Sequence, residues 1–136
     1  MEPMKTNPRF GILFLVAALL SPACGSMKLG SSQKNLDQCV TKYHDSFRWR
    51  DYEGASELVQ PSLRRDFRNA AAAVKNDLNV TDYQVNRISL AESGREATVL
   101  VTRSFYKMPS VTLQQQELRQ RWILLQGQWF LAGPPY

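Results

Sequence analysis

The chain has 136 residues, of which 17 are Lys or Arg and 12 are Asp or Glu, giving a formal charge of +5; 43% of the residues are hydrophobic. Once an N-terminal targeting segment is set aside, this length holds one small domain and not two. The charge is modest and mixed in sign along the chain, without the clustered Lys and Arg beside stacking aromatics that a nucleic-acid surface requires, so no nucleic-acid partner is expected.

Residues 1–23 read as a targeting segment. Lys5 and Arg9 precede the apolar run "FGILFLVAALL" at residues 10–20. This run falls short of the roughly 20 residues needed to cross a bilayer as a helix, and fits a secretory signal. Ser21 and Pro22 interrupt the helix, and Ala23 places a small residue before Cys24. The ending "LLSPAC" is similar to a bacterial lipoprotein signal peptide, although Ser21 stands where that family prefers Leu. The resemblance implies cleavage before Cys24, acylation of Cys24 with palmitate-type chains, and anchoring to the lipid bilayer of the cell envelope. With no acidic retention residue at Gly25 or Ser26, it implies the outer membrane, facing the periplasm. Plain secretion and an uncleaved hydrophobic anchor stay open as alternatives. An acylated Cys24 leaves Cys39 without an internal disulfide partner, as a structural thiol on a helix face.

Residues 24–34, rich in Gly and Ser, read as a flexible tether, and residues 35–136 as the folded domain. Asn35, with Gln38 three residues on, is expected to cap a first helix. Leu36, Val40, Tyr43 and Phe47 recur on one face of it. Asp51 is expected to cap a second helix over residues 52–59, and Pro61 to open a third. The apolar stripe of this third helix is Leu63, Phe67, Ala70 or Ala71, Val74 and Leu78.

After Asn79 the period falls to two. Within residues 83–90, Tyr83 and Val85 have one parity and Ile88 and Leu90 the other, which calls for a bulge or for cover on both faces. A turn at residues 92–95 leads to the alternating "EATVLVTRSFY", where Ala97, Val99, Val101, Arg103 and Phe105 form one row. Pro109 and Ser110 mark the next reversal. In the run over residues 111–125, Leu118, Trp122 and Leu124 share a face, while Gln114, Gln116 and Gln120 are read as exposed and Gln115, Glu117, Arg119 and Arg121 as the opposite polar row. Gln126 and Gly127 turn the chain into a last strand carrying Trp129.

The segments "WRDYEGASELVQP", "VNRISLAESGREATVLV" and "RQRWILLQGQWFLAGP" resemble the NTF2-like superfamily. Trp122 and Trp129 match the paired aromatics of its final hairpin. The resemblance implies an α+β fold in which three N-terminal helices pack on a curved four-stranded antiparallel sheet, the NTF2-like cone. It also implies a ligand pocket, to which Tyr43, Phe47, Phe67 and Trp122 are assigned. No strand carboxylate pairs with Tyr43, and His44, the single histidine, belongs to no catalytic motif. The sequence also lacks metal-ligand spacing and any phosphate-cradling loop, so no catalytic residue, metal or cofactor is assigned. The expected function is therefore a membrane-tethered envelope lipoprotein whose domain is not an enzyme and binds a small apolar ligand or an envelope protein, with a homodimer through the sheet as a further expected partner. Two alternatives remain: a cavity enzyme of isomerase or dehydratase type, and a structural or dimerisation accessory domain.

Overall fold

The 3.6-residue stripe around Leu36 sets the axis of the fold. A computed structural model describes the backbone of residues 26–134 and 136 and the side chains of residues 32–134 and 136. The targeting segment and Cys24 lie outside these residues. Helix α1 (Ser26–Arg48) buries Leu36, Val40, Tyr43 and Phe47, the expected face. It begins well before the expected cap, so Asn35 lies inside the helix and residues 26–34 are helical. Gln33 and Lys34 are good helix formers that let the turns propagate upstream. Trp129 Nε1 donates to the Ser32 carbonyl at 3.1 Å and fastens that part of the helix to the sheet.

Helix α2 (Tyr52–Glu57) starts as expected, because Asp51 Oδ1 accepts from the Gly54 backbone N–H at 2.9 Å. A Cβ at position 54 would lie 2.1 Å from Asp51 Oδ2, so this cap is compatible only with glycine there. A 3₁₀ turn at Pro61–Leu63 leads into α3 (Arg64–Val74), which buries Phe67 and Ala71. The third helix does not reach Leu78. The Asp77 N–H bonds back to the Val74 carbonyl, and the Met108 N–H bonds to the Asp77 carbonyl. Residues 75–77 therefore turn, and Leu78 opens the first strand.

The strands are β1 (Leu78–Leu90), β2 (Glu96–Lys107), β3 (Gln114–Leu125) and β4 (Gln128–Leu131), paired antiparallel in the order β1-β2-β3-β4. The parity change expected in β1 is a register shift between Val85 and Arg87, with a second between Val80 and Asp82. The expected curved sheet of a cone is corrected. Three helices and four antiparallel strands are present, but the sheet is open, neither closed nor strongly curled. Strands β1 and β4 stand at opposite edges with no ladder between them, β4 has four residues, and closure of a barrel takes more strands than these. The β4 edge is covered instead by the residues after α2. Val59 bridges to Leu131, the Gln60 N–H donates to the Leu131 carbonyl, and the Leu131 N–H donates to the Leu58 carbonyl.

The core lies between α1 and one sheet face made of Ala97, Val99, Val101, Phe105, Leu118, Trp122, Trp129 and Leu131. Gln120 belongs to this inner face and is fully buried, which corrects its placement on an exposed row; it shares the parity of Leu118 and Trp122. Gln114 and Gln116 share that parity too, but lie toward the start of β3 and are exposed. On the outer face Glu117, Arg119 and Arg121 are exposed, and Arg121 pairs with Glu96 at 2.8 Å. No helix among the described residues is long and apolar enough to cross a membrane.

Candidate functional site: an apolar pocket with a buried arginine

Where α3 leans over the end of the sheet, a cavity of about 260 Å³ opens. Phe67, Ala70, Ala71 and Val74 line it from α3, Phe47 from α1, Leu78 from β1, Arg103, Phe105 and Lys107 from β2, and Gln116 from β3, with Tyr136 closing one side. The apolar part follows from the α3 period. The polar part follows from strand parity, because Arg103 belongs to the inward row of β2 with Val99, Val101 and Phe105.

Arg103 is only 7% exposed. Its Nη1 donates to the Tyr136 backbone oxygen at 3.2 Å and its Nη2 to Gln116 Oε1 at 2.9 Å. Among the described residues its Nε has no partner and no side-chain carboxylate pairs with it. The guanidinium carbon lies 5.3 Å from the Phe47 ring centre and 5.7 Å from that of Phe105, which offsets part of the cost of burying the charge. Burial draws the Arg103 pKa below its ordinary value, with Tyr43 and Tyr52 opposing. A guanidinium nonetheless stays charged in proteins.

Tyr43 stands behind the pocket wall. Its ring meets Phe47, Phe67 and Trp122 at centroid distances of 6.1, 6.2 and 6.0 Å, and its buried hydroxyl has no partner among the described residues. Burial pushes the phenol pKa far up while the Arg103 charge pulls against it, so Tyr43 remains a neutral donor. Of the four residues assigned to a pocket from sequence, Phe47 and Phe67 line it, whereas Tyr43 and Trp122 lie in the adjoining core. Cys24 is outside the described residues. Sequence reasoning missed Arg103, Phe105, Gln116 and Tyr136. For Arg103 a signal was present, an arginine within an otherwise apolar inward row.

His44 joins a separate polar group inside the core. Its Nε2 is 3.1 Å from Gln120 Oε1, an oxygen that also accepts from Trp122 Nε1 at 3.4 Å. Two donors converging on one oxygen place the proton on Nε2 and leave Nδ1 with the lone pair. The ring stacks on Tyr83 at 5.0 Å, whose hydroxyl donates to Asp45 Oδ1 at 2.8 Å. Burial lowers the His44 pKa to about 4, opposed by the Gln120 hydrogen bond and reinforced by the Arg103 charge. Among the described residues no His, Cys, Asp and Glu side chains gather as a metal site. Larger concavities of about 450, 540 and 360 Å³ are lined by a larger share of polar residues, with Glu96 and Arg119, Arg87 and Glu117, and Gln38 and Lys42 respectively.

No family model and no curated protein matches the chain. Solved structures do. A protein of unknown function from Mycobacterium tuberculosis aligns with a TM-score of 0.62 at 15% identity, over 77% of this chain and 70% of that one. A ketosteroid isomerase-like protein from Erwinia carotovora atroseptica aligns with a TM-score of 0.57 at 11% identity, over 73% and 89%. An LEH-like epoxide hydrolase from M. tuberculosis aligns with a TM-score of 0.53 at 11% identity, over 71% and 76%. The chain thus shares its fold with these structures. The expectation that the domain is not an enzyme is corrected, since the same architecture carries an epoxide hydrolase and an isomerase-like protein and gives no ground for a non-catalytic reading.

Proposed function

We propose that the pocket between α3 and β2 is the working site, and that the chain is a cavity enzyme of isomerase or dehydratase type acting on a small, mainly apolar substrate. The observation that carries this reading is the coincidence of an apolar cavity with a buried arginine in its lining, Arg103, whose Nε lacks a partner among the described residues. A donor left unpaired in the interior costs about 1–3 kcal/mol, so a position that keeps one beside a cavity serves something other than stability. Fixed donors in a low-dielectric site stabilise negative charge as it develops on a substrate oxygen, the electrophilic half of such reactions. The proton-carrying groups in the lining are Lys107 and Tyr136, near the rim.

The test is proton exchange beside the carbonyl in a panel of small ketones, enones and hydroxy acids, followed by NMR with purified protein in D₂O. Arg103→Met should lower the rate by about 100-fold, the typical cost of losing one stabilising donor. Saturable binding with no exchange or turnover across the panel, or full activity in Arg103→Met, would refute the reading.

For residues 1–24 we propose the lipoprotein reading, with Cys24 as the acylated residue and the envelope as the location. It is supported by the basic start, the short apolar run and Ala23 before Cys24, and by the physics of anchoring, in which two acyl chains hold where one does not. Intact mass of membrane-extracted protein should show a diacylated or triacylated Cys24 as first residue. A soluble product with an unmodified thiol would contradict it.

A further inference from the structure

We infer that the molecule this pocket takes is a monoanionic carboxylate with an apolar tail of medium length, its carboxylate on Arg103 and its tail running along Phe67, Ala71, Val74 and Phe105. The inference rests on the pocket being the working site and adds the chemical class of its ligand.

The donor inventory points there first. A guanidinium has five N–H donors, and the described residues take up one from Nη1 and one from Nη2, leaving Nε unpaired. An Nε–H with a neighbouring Nη–H is the side-on fork that matches the two oxygens of a carboxylate. The lining group with unmet capacity, Arg103 Nε, can only donate, so the ligand end facing it must accept. Charge points the same way. The charged side chains of the lining, Arg103 and Lys107, are both cations. A single deep cation matches one negative charge and undercompensates a phosphate dianion.

Size and direction complete the argument. Arg103 and Lys107 have the same strand parity four residues apart, about 13 Å along β2, with Phe105 between them. Arg103 is buried and Lys107 exposed, so the anionic head lies deep and the tail points toward the rim. A volume of about 260 Å³ exceeds the roughly 150 Å³ cavity that accepts benzene. It suits a chain of about eight to ten carbons. Lys107 at the rim then serves to draw the anion in, an effect that salt weakens.

The experiment is calorimetric titration of the full chain with octanoate, octanol, octylamine and octyl phosphate. Octanoate should bind one to one, about tenfold or more tighter than octanol, more weakly as salt rises, and octylamine should not bind. Arg103→Gln should remove the preference for octanoate over octanol. Where that variant does not fold, the salt dependence and the octanoate preference of the unmodified protein decide alone. Equal affinity for octanoate and octanol, or tighter binding of octyl phosphate, overturns the carboxylate inference while the pocket stands. Ala70→Trp, at an exposed lining position, should block every ligand that enters; undiminished binding in that variant places the ligands elsewhere and overturns both readings.

Discussion

At the scale of single residues, the interior holds two kinds of polar group, and they predict opposite responses to mutation. The Tyr43 hydroxyl is buried without a partner among the described residues, so Tyr43→Phe removes an unsatisfied group and keeps the ring contacts. It should stabilise the fold by about 1 kcal/mol, a rise in melting temperature of roughly 4–8 °C. A lower melting temperature would show that the hydroxyl has a structural partner. His44 behaves differently. Its folded pKa of about 4 lies below its ordinary 6.5, so across that interval the unfolded chain binds a proton that the folded chain refuses. The His44 contribution is complete above pH 6.5 and lost as pH falls toward 4, by about 3 kcal/mol at most. Urea denaturation at pH 7 and pH 4 should show that loss in the native chain and much less of it in His44→Gln. Equal losses in both would place the acid sensitivity elsewhere. Neither role was legible in the sequence, because periodicity reports which way a residue faces and not what it meets. His44 lies next to Tyr43 in the stripe, and its partner Gln120 is 76 residues away on β3.

At the scale of elements, the sequence pattern was most informative where one face is wholly apolar. The α1 stripe, the Asp51 cap, the β1 register shift and the alternation of β2 all follow from spacing. It was least informative where a polar residue occupies an inward position, as Gln120 does in β3 and Arg103 in β2, since polarity there marks a network and not exposure. Element ends were also hidden. The Val74 end of α3 depends on the hydrogen bond between Met108 and Asp77, a contact between distant parts of the chain. The final hairpin offers a direct check on strand phase. Trp122 and Trp129 are almost fully buried, and truncation of either to Ala should cost about 3–5 kcal/mol, whereas Gln114→Ala should change stability by roughly 0.5 kcal/mol or less. Comparable denaturation midpoints for the Trp and Gln variants would show that the phase is wrong.

At the scale of the whole molecule, the open sheet separates two surfaces. One face is filled by α1 and the core, and the pocket forms at the end of that face where α3 replaces α1 as cover. The other face is polar, with Glu117, Arg119 and Arg121 exposed. The functional reading depends on the first surface, and above all on Arg103 being held charged within it. The most direct measurement is two-dimensional NMR of the Arg103 Nε–H and the Ala71 methyl while octanoate is added. The account predicts that both signals move together and saturate at one equivalent, and that the Arg103 Nε–H exchanges more slowly with water once the ligand is bound. Static Arg103 and Ala71 signals, with ligand-induced shifts confined to Glu117, Arg119 and Arg121 on the outer face, would contradict it.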